Sequence, residues 1–178
     1  MSKYIVFLRA INVGGHNVKM DILRQLFESL GFSSVETFIA SGNVIFESKT
    51  TNSKSLEKKI EKKLQEELGY ETATFIRTNA EVAEIAKYKP FPQSQLDAAG
   101  ALNIGFLADP LNDSAKQKLM SLRTDIDDFH IHGCEIYWLC KKKQSESKVS
   151  NAAIEKALGV KSTLRSVNTI KKLAEKYT

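Results

Sequence analysis

Three short stretches of this chain hold the residues best suited to chemistry. Residues 7–17, "FLRAINVGGHN", end an apolar run with an arginine, two asparagines, a histidine and a glycine pair. Glycines lack a Cβ, so the backbone N–H groups of Gly14 and Gly15 can approach an anion closely. The helix that follows would present its positive end to the same charge. A cradle for phosphate or carboxylate is one reading. The other is a strand-to-helix turn in which Asn12 bonds its own backbone. Neither G-x-x-x-x-G-K-[ST] nor G-x-G-x-x-G is present, so the loop carries no nucleotide fingerprint.

Arg9 raises a sharper question. Strand alternation places Tyr4, Val6 and Leu8 on one face and Ile5, Phe7, Arg9 and Ile11 on the other. A guanidinium among core-type residues needs a partner, either a protein carboxylate or a bound anion. The second stretch, "SGN" at residues 41–43, reads as a hairpin turn at or near Gly42 and Asn43. Its Ser41 hydroxyl and Asn43 amide would lie within reach of a ligand held by the first loop. The third, "TLRSVNT" at residues 163–169, would place Arg165, Asn168 and Thr169 on one face of a helical start, with Ser166 as cap. There Arg165 offers a fork of donors suited to phosphate.

Other patterns fail on spacing. "SESK" at residues 145–148 has the Ser-x-x-Lys order of penicillin-recognising enzymes but neither of their companion motifs. His130, His132, Cys134 and Cys140 are soft ligands, yet they match no zinc pattern, and the two histidines equally suit the outer face of a strand. No metal site and no cofactor is expected. No Ser-His-Asp set can be assembled locally, which leaves His16 as the base an enzyme reading would nominate.

The elements that must position these residues can be read from composition and period. The chain has 178 residues, 42% hydrophobic and 26% charged, which suits one domain or two small ones. The apolar run at the start is too short for a signal peptide, and no stretch approaches a membrane span of roughly 20 residues, so a cytoplasmic protein is expected. The two cysteines are expected to be free thiols. Residues 141–178 carry ten Lys or Arg against three Glu, while the residues before them hold 16 basic and 18 acidic. The basic character therefore belongs to the tail end, which points to phosphate-bearing partners or to solvated helix faces.

"YIVFLRAI" reads as a buried strand, "MDILRQLFESLG" as a helix closed by Gly31, and "SVETFIASGNVIFES" as a hairpin. An amphipathic helix over "SKSLEKKIEKKLQEELG" and the strand "TATFIRT" complete the half. After a short helical piece and a Pro-containing connector the order begins again: strand "ALNIGFLA", helix "NDSAKQKLMSLR" capped by Asn112 or Asp113, a hairpin turning at Gly133, and helix "SNAAIEKALG". The repeated order implies an α+β protein of two ferredoxin-like, split βαβ subdomains with mainly antiparallel sheets. The boundaries are drawn at residues 1–78, a helical connector at 79–100, and 101–178 with a C-terminal helix. A single continuous α+β sheet is the rival.

The landmarks "FLRAINVGG", "SGNVIF", "FIRT", "NIGFLADP", "SKV" and "TLRSVNTIKKL" occur in the order of a bacterial family. The chain resembles the domain of unknown function 1697 family over essentially its full length. That resemblance implies a small α+β protein of two ferredoxin-like subdomains and no assigned activity. The family's polar pattern falls on Arg9, Asn12, Gly14, Gly15, Ser41, Gly42, Asn43, Lys148, Arg165, Asn168 and Thr169. Ala10, Ser166 and Val167 depart from it.

Together these readings give a binding protein whose halves form a groove for an anionic, phosphate-bearing ligand such as a nucleotide. Arg9, Asn12, Gly14, Gly15, Ser41, Asn43, Arg165 and Asn168 would contact it. One alternative is an enzyme acting on a small phosphorylated or acylated molecule. Another is a nucleic-acid or protein interaction module using Phe7, Phe38, Phe46 and Phe75, rings equally suited to the core. An anionic small molecule or a nucleic acid is the partner expected, a membrane is not, and the sequence names no particular protein partner.

Overall fold

Alternation in β1 (Ser2–Leu8) sends Tyr4, Val6 and Leu8 into one hydrophobic core and buries Ile5 and Phe7 on the opposite face. A strand apolar on both sides belongs at the centre of a sheet. β1 is central, paired antiparallel with two neighbours. The computed structural model describes residues 1–11 and 18–178, and at Ala40 and Ser41 the backbone alone.

Helix α1 (Met20–Ser29) turns Leu23 and Phe27 to the core, and the chain leaves it through Gly31 at φ 88°. Next come β2 (Ser33–Phe38), β3 (Ala40–Ser48), α2 (Ser53–Leu68) and β4 (Thr74–Thr78). α2 is capped by the Asn52 side chain, closed by Gly69, and buries Leu56, Ile60 and Leu64 under the sheet. Its buried Glu57 accepts the Ile76 N–H at 3.1 Å, which satisfies a donor on the outer edge of β4.

From β4 the chain enters α3 (Asn79–Lys87) directly. Thr78 and Glu81 exchange backbone-to-side-chain bonds of 3.1 and 2.9 Å, a capping box. The short α4 (Gln93–Ala98) follows, then β5 (Ala101–Phe106), α5 (Asp113–Met120), β6 (Asp127–His132), β7 (Glu135–Cys140), α6 (Asn151–Leu158), β8 (Thr163–Ser166) and α7 (Val167–Tyr177). Asn112 is the residue whose side chain caps α5.

Two four-stranded antiparallel sheets result, in the orders β2-β3-β1-β4 and β6-β7-β5-β8. Each carries two helices on one face: α1 and α2 on the first, α5 and α6 on the second. The protein is α+β, and each half has the expected split βαβ order. Contacts divide the chain into Met1–Ala86 with Lys171–Thr178, and Lys87–Ile170.

Three local expectations are corrected. "SGN" is not the first hairpin's turn. Ile39, at φ 66°, makes it, and Ser41 to Asn43 lie inside β3. Thr37 pairs with Val44 but Phe38 with Ala40, so these three residues bulge out of register. The bulge keeps Val44 and Phe46 facing the core, a demand that outweighs the turn preference of Gly-Asn. Arg165 lies in β8, not on a helical start; the helix begins two residues later, with Ser166 Oγ accepting the Thr169 N–H at 3.3 Å. Ile11 follows the end of β1 and joins the core with Tyr4, not the Arg9 face.

Candidate functional site

The first unit's candidates surround the end of β1. Arg9 is half-buried, and its backbone N–H donates to Ala73 O at 3.0 Å. Tyr70 Oη donates to Ile11 O at 3.3 Å, so the chain on either side of Ala10, itself at φ 55°, is held to the segment before β4. Asn12, Gly14, Gly15 and His16 lie outside the described residues, as does the Ser41 side chain. Asn43 is buried, opposite Phe7, and its Nδ2 donates to Phe38 O at 3.1 Å across the bulge. That bond gives Asn43 a structural duty. Phe7, Phe46 and Phe75 are buried in the sheet, and Phe38 meets the edge of Tyr177 at 5.7 Å. None of the first three is an exposed stacking ring.

The second unit's candidates occupy the sheet face opposite its two helices. One row across the strands reads His130, Tyr137, Ile104, Arg165, by pairing of β6 with β7, β7 with β5 and β5 with β8. The next reads His132, Glu135, Phe106, Thr163. Arg165 Nη1 donates to Thr163 Oγ1 at 2.7 Å and to Leu164 O at 2.9 Å, so the guanidinium is oriented by its own strand. Burial lowers its pKa from 12.5 to about 10, because the charged form has lost solvent. Asn168 is exposed on the first turn of α7.

Tyr137 buries a hydroxyl that has no hydrogen-bond partner among the described residues. Burial, then the charges of Glu135 and Tyr88, push its pKa far up, so the phenol stays a neutral donor. At the other end of the row, His130 Nε2 and Tyr88 Oη are 2.6 Å apart, and Tyr88 stacks on His132 with centroids 4.0 Å apart. Both histidines thus pack under the segment that follows α3. Among the described residues no group of three or more His, Cys, Asp or Glu is placed to hold a metal ion.

Sequence reasoning missed Tyr88 and Tyr137. The alternation of "EIYWLC" with "FHIH" puts Tyr137 and His130 on one face, but the partner supplied by Tyr88 is 42 residues away. No local pattern could reveal it.

With this geometry in hand, similarity to other proteins can be judged. The family described as "Protein of unknown function (DUF1697)" matches residues 1–137. The chain belongs to that family. The match takes in the Arg9 segment and the "SGN" bulge, while Arg165 and Asn168 lie beyond it. In solved structures, the chain resembles the conserved bacterial protein SP0830 from Streptococcus pneumoniae, with a TM-score of 0.77 at 24% identity, covering 98% of this chain and 97% of that one. The likeness is one of fold. No curated protein shows significant sequence similarity to the chain. No described helix is long and apolar enough to cross a membrane.

Proposed function

We propose that the protein binds an anionic, phosphate-bearing ligand such as a nucleotide. The observation that carries this reading is the row His130, Tyr137, Ile104, Arg165 on the face of the second sheet opposite α5 and α6. There a desolvated arginine and a buried, unpartnered phenol are two strand spacings apart, about 10 Å. Both groups are donors, one charged and one neutral. An acceptor-rich anion would give the Arg165 guanidinium and the Tyr137 hydroxyl hydrogen bonds, charge-assisted in the case of the arginine. In the first unit Arg9 is a separate, half-buried cation.

Thermal-shift and calorimetric titration of the purified protein with ADP, ribose 5-phosphate, inorganic phosphate and a short single-stranded RNA tests the reading. Specific binding raises the melting temperature by mass action. The expected result is a shift with a phosphate compound that Arg165→Ala abolishes and Tyr137→Phe weakens. Steep salt dependence would assign the phosphate to nucleic acid, and weak dependence to a small molecule. Unchanged affinity in folded Arg165→Ala and Arg9→Ala proteins sinks the assignment.

A further inference from the structure

A cleft of about 690 Å³ opens in the second unit between α4, the turn at Arg123, Thr124 and Asp125, and the neighbouring ends of β6 and β7. Small-molecule sites span roughly 300–1,000 Å³. Main-chain bonds tie its walls together. Gly100 N–H donates to Cys140 O at 2.9 Å, Lys141 N–H to Ile126 O at 2.8 Å, and Thr124 N–H to Asp127 O at 3.1 Å. A Cβ at Gly100 would lie 2.3 Å from Lys142 O, so glycine is what lets the two segments meet.

Asp127 lines the cleft but serves as its anchor. Its carboxylate accepts from Trp138 Nε1 at 2.8 Å, Thr124 Oγ1 at 2.6 Å and Ser147 Oγ at 2.8 and 2.9 Å. The remaining charged lining is balanced: Arg123 and Lys141 against Asp125 and Asp128. Arg123 Nε donates to Met120 O at 3.2 Å and Asp128 Oδ1 accepts the Phe129 N–H at 2.8 Å, so one charge of each sign is held by its own main chain. Leu139 supplies an apolar floor.

We infer that this cleft binds a small zwitterion, a free amino acid or short peptide, with its carboxylate toward Arg123 and Lys141 and its ammonium toward Asp125 and Asp128. A phosphate would meet three carboxylates, and a polycation would meet two cations. Among charged ligands, only one bearing both signs escapes the like-charge penalty. None of the lining residues belongs to the Arg165 row, so this site and its ligand are separate from the one proposed above.

Calorimetry on the full chain with the dipeptide lysyl-glutamate, its C-terminal amide, its N-acetyl form and inorganic phosphate tests the inference. The unmodified dipeptide is expected to bind. Amidation, acetylation, Lys141→Gln and Asp128→Asn should each weaken it about tenfold, and Arg165→Ala should leave it unchanged. Three results would overturn the inference: no binding of the dipeptide or of any free amino acid, affinity indifferent to both cleft substitutions, or phosphate binding that Lys141→Gln abolishes.

Discussion

The two sheets are built to one plan and finished differently. In both, an isoleucine of the central strand, Ile5 or Ile104, pairs with an arginine on the edge strand, Arg77 or Arg165. Each arginine's Nη1 donates to the preceding residue's carbonyl, at 2.8 and 2.9 Å. Each strand passes straight into a helix capped by the hydroxyl that follows, Thr78 or Ser166. The other neighbour of the isoleucine differs. It is Ile45 in the first sheet and Tyr137 in the second, and the row then ends on Glu36 or His130. A shared scaffold thus carries an apolar centre in one unit and a polar row in the other. The backbone plan follows from hydrogen bonding and core packing, while the chemistry rests on a few side chains of the face opposite the helices.

The hairpins differ as well. The second turns at Gly133, φ 59°, in clean register, whereas the first turns at Ile39, φ 66°, and throws Ser41 to Asn43 into a bulge. A β-branched residue at positive φ is strained.

The cores allow the strongest test of the shared plan. Phe46 and Trp138 hold equivalent places, opposite Tyr4 and Asn103. Phe46 stacks on Phe32 at 4.1 Å and on Tyr4 at 5.5 Å. Phe46→Ala is expected to cost about 3–5 kcal/mol in chemical denaturation. A cost below about 1 kcal/mol would mean that the first core can collapse around the loss.

Next in size is the buried Asp127 carboxylate of the second unit. Burial raises the Asp127 pKa, but hydrogen bonds from Thr124, Trp138 and Ser147 outweigh it and hold the group below its ordinary value. The stability it contributes is complete above its unfolded pKa of about 3.9 and is lost as pH falls through the folded value. Asp127→Ala should cost about 2–3 kcal/mol at neutral pH by leaving buried donors unpaired. Melting near pH 2 should bring mutant and wild type together.

The Tyr88–His130 pair should sharpen the contrast through pH. Burial first, then the neighbouring His132, lower the His130 pKa from 6.5, against the opposing influence of Asp128. The unfolded chain therefore binds the proton more readily. The stabilisation is full above the unfolded pKa of 6.5 and is lost as pH falls through the folded value. His130→Gln should flatten that part of the melting-temperature profile, and Tyr88→Phe should cost about 1 kcal/mol at neutral pH. A wild-type profile already flat between pH 7 and 5 would remove His130 from this role.

The smallest effect concerns the strained turn. Ile39→Gly relieves the positive-φ strain but adds chain entropy, so a net gain of about 0.5 kcal/mol is expected. A loss exceeding about 1 kcal/mol would show that the exposed Ile39 side chain makes a contact worth more than its strain.

Much of the plan was legible without coordinates. Periods of two and 3.6, capping residues such as Asn52 and Asn112, and the closing glycines Gly31 and Gly69 are local signals, and they located the strands and helices. Arg165 stands out in the sequence by its forked donors alone, and the spacing there places it on a helical start with Asn168 and Thr169 rather than in a strand beside Thr163. Gly-Asn misled at residues 42–43, since turn preference is a local energy and register is set by the whole sheet. Helical spacing misled at Arg165, since β8 exists only because β5 offers it a hydrogen-bonding edge.

Apart from α4 and β8, the element order, with the antiparallel class and the basic tail end, was therefore determined by the sequence by itself, because neighbouring residues encode it. Which polar groups share a face was decided only in the tertiary structure. The Tyr88–His130 bond spans 42 residues, and the desolvation of Arg165 is a property of its surroundings. Burial and cross-strand pairing are sums over distant parts of the chain, and no short stretch of residues contains them.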